Sequence, residues 1–283
     1  MMKNKTILRV GLLWLEGVIL LILRLIQLNS GFDPATGLAL PSLAGRMVWI
    51  LLLACLAAEA IMLFRQPKDN KRSFACCFQV MEDAKVPGLL LENAWVPGLI
   101  AASFLMIGGG ALLLADALPL QGNQKLVCAA SGLLCIAGGV GFLLLTRKMR
   151  SGGTPSVLAL VPAMFFSALY LLVVYFPEDR NPVLERFYLL VLAAALPALF
   201  LYQLSAFFQK EGSIRWFGFM ADLTVIVCCA AMADCARNAS RARLLVNISF
   251  AIFASLFLLM LRPEPLPEPE KPANEEEAEE EPV

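Results

Sequence analysis

The chain has 283 residues, of which 59% are hydrophobic, and its basic and acidic residues balance to a formal net charge of zero. Its mean hydropathy of +0.72 excludes an ordinary soluble domain, because the apolar residues fall in blocks of about 20, the length that crosses a bilayer as a helix. The balanced charge gives no basis for a nucleic-acid partner, and histidine, the side chain most used for metal binding near neutral pH, does not occur.

Eight apolar segments predict eight transmembrane helices. Only helices and closed barrels span bilayers, and these Leu- and Ala-rich blocks lack the short alternation of barrel strands, so the helical solution remains. We therefore interpret residues 1–262 as one all-α transmembrane bundle whose main partner is the lipid bilayer. The predicted spans are Arg9 to Leu28, Gly45 to Phe64, Val96 to Asp116, Leu126 to Leu145, Pro155 to Phe176, Phe187 to Phe208, Arg215 to Cys235 and Leu244 to Leu261.

Lysine and arginine are distributed unequally over the connections between these spans. If the N-terminus is cytoplasmic, fifteen of them lie on the cytoplasmic side and seven on the other side. Because basic residues accumulate in cytoplasmic loops, the count predicts an integral protein of the plasma (inner) membrane with both termini in the cytoplasm. The last external loop, with Arg237, Arg241 and Arg243, runs against this rule.

The longest connection, residues 65–95, is predicted to lie at the cytoplasmic membrane surface. Its first part carries Lys68, Lys71 and Arg72, which attract anionic headgroups. Apolar residues then recur at helical spacing, as in an amphipathic helix that lies on a membrane. The positions that define this pattern are Phe74, Cys77, Phe78 and Met81. A plain interfacial linker and a helix that docks a partner both fit the pattern.

Small residues and prolines mark special positions within the predicted spans. Glycines cluster at residues 108–110 of the third span and at residues 138–141 of the fourth. Without side chains at these positions, two helix backbones can pack closely. Pro162 and Pro197 fall inside the fifth and sixth spans, where each removes a backbone hydrogen bond and predicts a kink.

Four polar side chains on four predicted spans lie at one depth. Asp222 is seven residues from Arg215 at the cytoplasmic boundary, and the others lie at similar distances from their own boundaries. At about 1.5 Å of rise per residue, this layer is about 10 Å deep. An acidic side chain at that depth persists only where it faces protein or water. The members of this candidate binding layer are Asp222, Glu59, Glu16 and Gln203.

The layer has two alternative interpretations. Clustered carboxylates could hold a proton or a cation and couple it to a substrate. Alternatively, Glu16 and Glu59 could pair with Arg9 and Arg65 near the interface, while Asp222 hydrogen-bonds a neighbouring helix. The first interpretation gives the layer a function, and the second makes it structural.

An outer group of charges is predicted by the same residue count. Arg24 lies four residues before the end of the first span, near the level of Asp116 and Asp234, which close the third and seventh spans. A pair between Arg24 and one of these aspartates would remove the cost of an isolated charge in the membrane. We therefore expect a structural charge pair at this level.

Patterns for catalysis and cofactor binding are missing from the sequence. It has no histidine for a hydrolytic triad or a metalloprotease, no Gly-x-Ser-x-Gly elbow and no Walker-type loop. An aspartyl dyad of Asp222 with Glu16 or Glu59 is conceivable, but nothing else in the sequence indicates one. The eight cysteines form no Cys-x-x-Cys pair, so we expect them to pack as small apolar residues. We predict a protein that is not an enzyme and holds neither metal nor cofactor.

The C-terminal segment differs sharply in composition. Residues 263–283 alternate proline with glutamate and then become densely acidic, which predicts a disordered cytoplasmic tail. The leading functional hypothesis is a permease-like protein that moves an ion or a small solute through the inner polar layer. The alternative is a non-catalytic sensor or assembly subunit, which acts through the basic residues 65–81 and recruits a cytoplasmic protein through the acidic tail.

Overall fold

Helices account for the regular structure of the described residues, and no strand is among them. The structure is a computed structural model that describes residues 2–32, 40, 42–65, 72–78, 95–151, 155–178, 188–238 and 240–261, with the backbone alone for 2–5 and 176–178. Met81, most of the connection 65–95 and the acidic tail at 263–283 therefore lie outside the described residues.

Eight of the helices are long and apolar enough to cross a membrane, and each coincides with one predicted span. The prediction of an all-helical protein with eight helices of transmembrane length is confirmed. In chain order the helices are α1 (Met2–Ser30), α2 (Leu43–Arg65), the short α3 (Phe74–Cys77), α4 (Trp95–Ala117), α5 (Gly122–Arg150), a 3-10 turn (Val157–Ala159), α6 (Val161–Glu178), α7 (Tyr188–Phe208), α8 (Ile214–Arg237) and α9 (Arg241–Met260).

Six of the long helices form a closed ring. Each helix from α4 to α9 packs against the next one in the chain, and α9 packs back against α4. The hairpin of α1 and α2 lies outside this ring, where both helices contact α8. Helix α8 therefore has neighbours on all sides, and every residue from Ala221 to Ala231 on it is buried.

The outer hairpin exposes much of its apolar surface. On α1, large exposed apolar side chains recur at helical spacing, and α2 has a similar exposed surface. Apolar surface of this extent fits contact with lipid chains, which are the solvent of a membrane helix. The exposed residues of α1 are Leu8, Leu12, Leu15, Val18, Ile19, Ile22 and Ile26.

Aromatic side chains fill the interior of the ring. Phe142 of α5 stacks on Phe253 of α9 with their ring centroids 3.7 Å apart. Phe166 of α6 stacks on Phe250 of α9, and Phe200 of α7 meets the edge of Phe253. Such rings bury large areas and hold neighbouring helices at defined distances. The centre of the ring is therefore packed with apolar side chains from α5, α6, α7 and α9.

Residues 72–78, the described part of the segment that was predicted to lie on the membrane surface, are instead inserted into one end of the ring. Their helix, α3, is only four residues long, and Phe74, Cys77 and Phe78 are buried. Phe78 meets Phe207 and Phe217 edge to face. The helical spacing identified an apolar face correctly, but protein rather than lipid covers that face.

Backbone hydrogen bonds hold this segment in place. Arg72 and Gly212 bond each other through both backbone amides, at 3.0 and 3.1 Å. Phe78 forms a second bridge with Leu261, the residue that follows α9. We call this end of the bundle, which contains Arg72, Phe78, Gly212 and Leu261, the proximal end, and the opposite end the distal end.

Burial of α3 predicts that its thiols are protected in the native protein. A membrane-impermeant maleimide should leave Cys77 unmodified, because its side chain is fully buried and the reagent needs an accessible thiolate. The matched control is Gln209→Cys, which places a thiol on an exposed position near the same end. Mass spectrometry of digested protein measures both sites, and equal labelling rates at residues 77 and 209 would contradict the buried position.

The glycine clusters lie at close helix contacts, as predicted. A Cβ added at Gly110 would lie 2.7 Å from the carbonyl oxygen of Gly132, and one at Gly139 would lie 2.8 Å from that of Ser103. These contacts join α4 to α5 at distances that side chains would not allow. Gly138 similarly faces Ala163 of α6.

The two prolines differ in their positions. Pro197 lies inside α7, as predicted. Pro162 was also expected inside a helix, but α6 begins at Val161, so this proline occupies the first turn. A first-turn proline removes no helical hydrogen bond, because the amides there have no partner within the helix. The prediction of a kink at Pro162 is therefore wrong.

Candidate functional site

The inner charged cluster lies between α1, α2 and α8, in the proximal half of the bundle. Arg9 of α1 donates a hydrogen bond from Nη2 to the Asp222 carboxylate of α8. The same nitrogen lies 3.9 Å from Oε2 of Glu59 on α2. The Asp222 side chain is completely buried, whereas those of Arg9 and Glu59 are partly exposed. One guanidinium thus serves two carboxylates.

This arrangement leaves the cluster with incomplete hydrogen bonding and unequal charge. Asp222 Oδ1 and Arg9 Nε have no hydrogen-bond partner among the described residues. With both carboxylates ionised, the three side chains carry one net negative charge. A proton or a monovalent cation bound at this point would balance it.

Glu16 extends the cluster towards the middle of the bundle. It lies seven residues after Arg9 and therefore on nearly the same face of α1, about 10 Å further along the helix axis. Its carboxyl group interacts electrostatically with Glu59 of α2. We call the line of contacts from Arg9 to Glu16, between α1, α2 and α8, the seam.

Gln203 stands apart from the seam. It lies on α7, which packs mainly against α6 and α8, and its side chain is partly exposed. Within the described residues it forms no hydrogen bond with Asp222, Glu59 or Glu16. The structure therefore brings Asp222 and Glu59 together around Arg9, with Glu16 further along α1, and leaves Gln203 apart.

A close contact fixes α1 against α8 between the inner and outer charges. A Cβ added at Gly17 would lie 2.6 Å from Cβ of Cys229. Contacts ascend both helices together, from Asp222 through Cys229 to Asp234 on α8, so the two helices run parallel. In a chain whose spans cross a membrane in alternating directions, the first and seventh spans are parallel. The orientation of α1 and α8, the first and seventh of the eight long helices, agrees with this.

The outer charge pair is fully enclosed near the distal end. Arg24 of α1 donates from Nη2 to Asp234 Oδ1 at 2.8 Å and from Nε to both carboxylate oxygens at 3.2 Å. Both side chains are at most 1% exposed. Gln27 accepts a further hydrogen bond from Arg24 Nη1 at 2.8 Å. Such a pair offsets the cost of burying each charge, and each partner depends on the other.

Aromatic rings cover the outer pair. The Arg24 guanidinium lies 5.0 Å from the ring centroid of Tyr188, at the start of α7. Trp49 of α2 stacks on Tyr188 with 4.3 Å between the ring centroids. Cation–π contact of this kind stabilises a desolvated arginine. Asp116 does not take part, because it is exposed at the end of α4, which packs against α5 and α9.

Arg9 is the functional candidate that sequence reasoning placed differently. It was assigned to the membrane boundary as a possible partner of Glu16 or Glu59, whereas its hydrogen bond goes to Asp222. The sequence does not single out this contact, because apolar residues also occupy the exposed side of α1. In the structure, Arg9 lies on the helical stripe of α1 that is buried. That stripe continues through Leu13, Gly17, Leu20, Arg24 and Gln27.

Comparisons with known proteins add no relative. Searches against protein-family models, curated proteins and solved structures find no match to this chain. The eight apolar helices are compatible with a multi-pass membrane protein, and by themselves they do not identify its function.

Proposed function

We propose that this multi-pass protein is permease-like and moves a proton or a monovalent cation, alone or with a small solute, along the seam. The supporting observation is the placement of one guanidinium, that of Arg9, beside the carboxylates of Asp222 and Glu59. The uncompensated negative charge makes the cluster a binding point for one positive charge. In this proposal the proximal end faces the cytoplasm, in agreement with the distribution of basic residues.

Binding of a positive charge gives the cluster two arrangements. In the first, Arg9 pairs with Asp222, as in the structure. When a proton or a cation neutralises Asp222, Arg9 loses this partner and shifts to Glu59, which is already 3.9 Å away. Because Arg9 and Asp222 connect α1 to α8, the exchange loosens the contact between these helices. Charge binding is thereby coupled to a movement of the outer hairpin against the ring.

The packing of the ring favours a route along the seam. Stacked phenylalanines such as Phe142 and Phe253 fill one level of the ring, and this apolar layer offers no polar partner to a charged solute that would pass through it. The seam, in contrast, carries three carboxylates, one on each of α1, α2 and α8. Helices α1 and α2 are also the least enclosed of the eight, so their displacement disrupts the fewest contacts.

Ion flux through the reconstituted protein tests this proposal. Purified protein is placed in liposomes that contain a pH-sensitive dye, and proton entry is followed under an imposed membrane potential, with Na⁺ and K⁺ gradients as parallel measurements. We expect Asp222→Asn to reduce the flux to that of empty liposomes, because the neutral side chain cannot bind the charge. Glu59→Gln should reduce the flux as well, because Arg9 loses its alternative partner.

The control variant is Asp116→Asn, which neutralises an exposed aspartate on the far side of the ring and should leave the flux unchanged. Thermal melting of each variant in detergent excludes loss of folding as the cause. If Asp222→Asn and Glu59→Gln both retain wild-type flux of protons, Na⁺ and K⁺, the proposal is wrong.

The alternative, a sensor or assembly subunit, also has a supporting observation. Phe78 of the connection 65–95 forms a backbone bridge with Leu261, which lies two residues before the acidic tail. One cytoplasmic partner that binds at the proximal end could therefore contact both parts of the chain. This hypothesis assigns the function to the proximal surface, and the seam then has a structural role.

Deletion of the tail separates the two hypotheses. A chain that ends at residue 262 should keep its ion flux if the seam carries the function. The sensor hypothesis instead predicts that a protein co-purifies with the full-length chain from its native membrane, in stoichiometric amount, and is lost on deletion. Unchanged composition of the purified material with and without residues 263–283 would count against that hypothesis.

A further inference from the structure

A second group of polar side chains lies inside the ring, on the side of α8 that faces α6 and α9. Ser131 of α5, Tyr170 of α6 and Asn247 of α9 are each at most 1% exposed. Their atoms Ser131 Oγ, Tyr170 Oη and Asn247 Oδ1 have no hydrogen-bond partner among the described residues. A polar atom that is buried without a partner destabilises a protein, so such atoms are rare.

The unpaired hydroxyl of Ser131 contrasts with the other buried hydroxyls of the helices. Serine and threonine within helices commonly donate to the carbonyl oxygen four residues earlier. Ser131 forms no such bond among the described residues, so its hydroxyl remains available to another group. The helical hydroxyls that do form it are those of Ser103, Thr146, Ser167, Thr224 and Ser255.

Contacts between helices bring the three polar side chains to neighbouring levels of the ring. Asn247 donates from Nδ2 to the Cys235 sulfur at 3.3 Å, which leaves its Oδ1 as an acceptor without a donor. Phe166, one turn before Tyr170 on α6, stacks on Phe250, one turn after Asn247 on α9. Gly138 of α5 packs against Ala163 of α6, and Ser131 and Tyr170 each lie two turns from this contact, towards the same end of the two antiparallel helices. The three side chains therefore lie at neighbouring levels between α5, α6 and α9, a region that we call the ring site.

The chemistry of the ring site selects an uncharged ligand. The amide oxygen of Asn247 requires a donor, while the hydroxyls of Ser131 and Tyr170 can donate or accept. The described residues contain no group of three side chains suited to a metal ion. An anion would lose its hydration without a buried charged partner.

We infer that the ring site binds a small uncharged molecule that both donates and accepts hydrogen bonds, such as water or a polar solute of a few heavy atoms. The ligand donates to Asn247 Oδ1 and exchanges hydrogen bonds with the hydroxyls of Tyr170 and Ser131. Buried polar groups in proteins are commonly satisfied in this way. The ring site is separate from the seam, so this inference and the proposed ion movement stand or fall independently.

Two measurements on the purified full-length protein test the inference. Radiolysis in H₂¹⁸O oxidises side chains that contact bound water, and mass spectrometry locates the ¹⁸O. We expect label on Tyr170 and none on Phe166, which is equally buried and stacks on Tyr170 with 5.2 Å between the ring centroids. In Asn247→Leu the label on Tyr170 should fall, because the ligand loses an acceptor.

Thermal melting of Tyr170→Phe is the second measurement. If the hydroxyl bonds a ligand, its removal should lower the melting temperature by roughly 2–4 °C, whereas removal of an unpaired hydroxyl raises it or leaves it unchanged. Tyr202→Phe, at an exposed position of α7, is the matched control and should melt as the wild type. Label on Tyr170 identifies water as the ligand. A lower melting temperature without label identifies a retained solute. If Tyr170 carries no label and its substitution does not lower the melting temperature, the inference is wrong.

Discussion

Asp234→Ala is expected to lower the free energy of unfolding by about 3–5 kcal/mol, the cost of breaking a buried ion pair by removal of one partner. The substitution removes the carboxylate that binds Arg24 through both Nε and Nη2 and leaves the guanidinium fully enclosed. The hydrogen bond to Gln27 and the contact with the Tyr188 ring stay in place. Titration with sodium dodecyl sulfate in mixed micelles, followed by circular dichroism, measures the unfolding free energy.

The size of this effect depends on burial and not on the loss of an aspartate as such. Asp116→Ala removes an exposed aspartate that ends α4 and should change the unfolding free energy little. The double variant Arg24→Met with Asp234→Leu removes both charges and replaces them with apolar side chains. It should recover most of the stability, since apolar replacement of a whole buried pair is often neutral. An Asp234→Ala protein as stable as Asp116→Ala would show that Arg24 does not depend on this pair.

The level of the charges along each helix could be predicted from the sequence because helical rise is constant. Counting residues from Leu28 placed Arg24 near Asp234, and the structure brings these two side chains together. The same count placed Asp116 at that level, but Asp116 is on a helix at the other side of the ring. Depth follows from local geometry, whereas the neighbours of a helix depend on contacts across the whole chain.

Rotation about the helix axis explains the other differences. Gln203 and Asp222 share a depth, yet Gln203 forms no hydrogen bond with the seam in the described residues. Arg9 was assigned to the boundary by position, and only the stripe of buried residues on α1 indicates that it faces α8. In a membrane span, apolar residues face both lipid and protein, so hydrophobic periodicity does not distinguish the two sides as it does in soluble helices.

The short helix α3 illustrates a related limit. Its apolar spacing predicted a face that avoids water, which is confirmed by the burial of Phe74 and Phe78. The sequence pattern did not determine whether lipid or protein covers this face. The decisive contacts, with Phe207, Phe217 and Leu261, come from segments more than a hundred residues away along the chain.

Close packing at Gly141 produces the second large expected effect. This glycine of α5 faces the 3-10 turn that precedes α6, and a Cβ added to it would overlap the carbonyl oxygen of Ala159. Gly141→Ala should lower the unfolding free energy by about 1–3 kcal/mol, the usual range for overpacking. The obstructing atom belongs to the backbone, so the turn itself has to move.

Gly108→Ala is the matched control for this effect. It introduces the same methyl group into a transmembrane glycine cluster, but the nearest atom, Cδ1 of Leu245, would lie at an ordinary contact distance of 3.6 Å. Its unfolding free energy should equal or exceed that of the wild type, because alanine is a better helix former than glycine. Ala159→Gly should not rescue Gly141→Ala, since it removes a side chain and leaves the carbonyl in place. Rescue by Ala159→Gly, or equal effects at positions 108 and 141, would contradict a backbone contact between α5 and the turn.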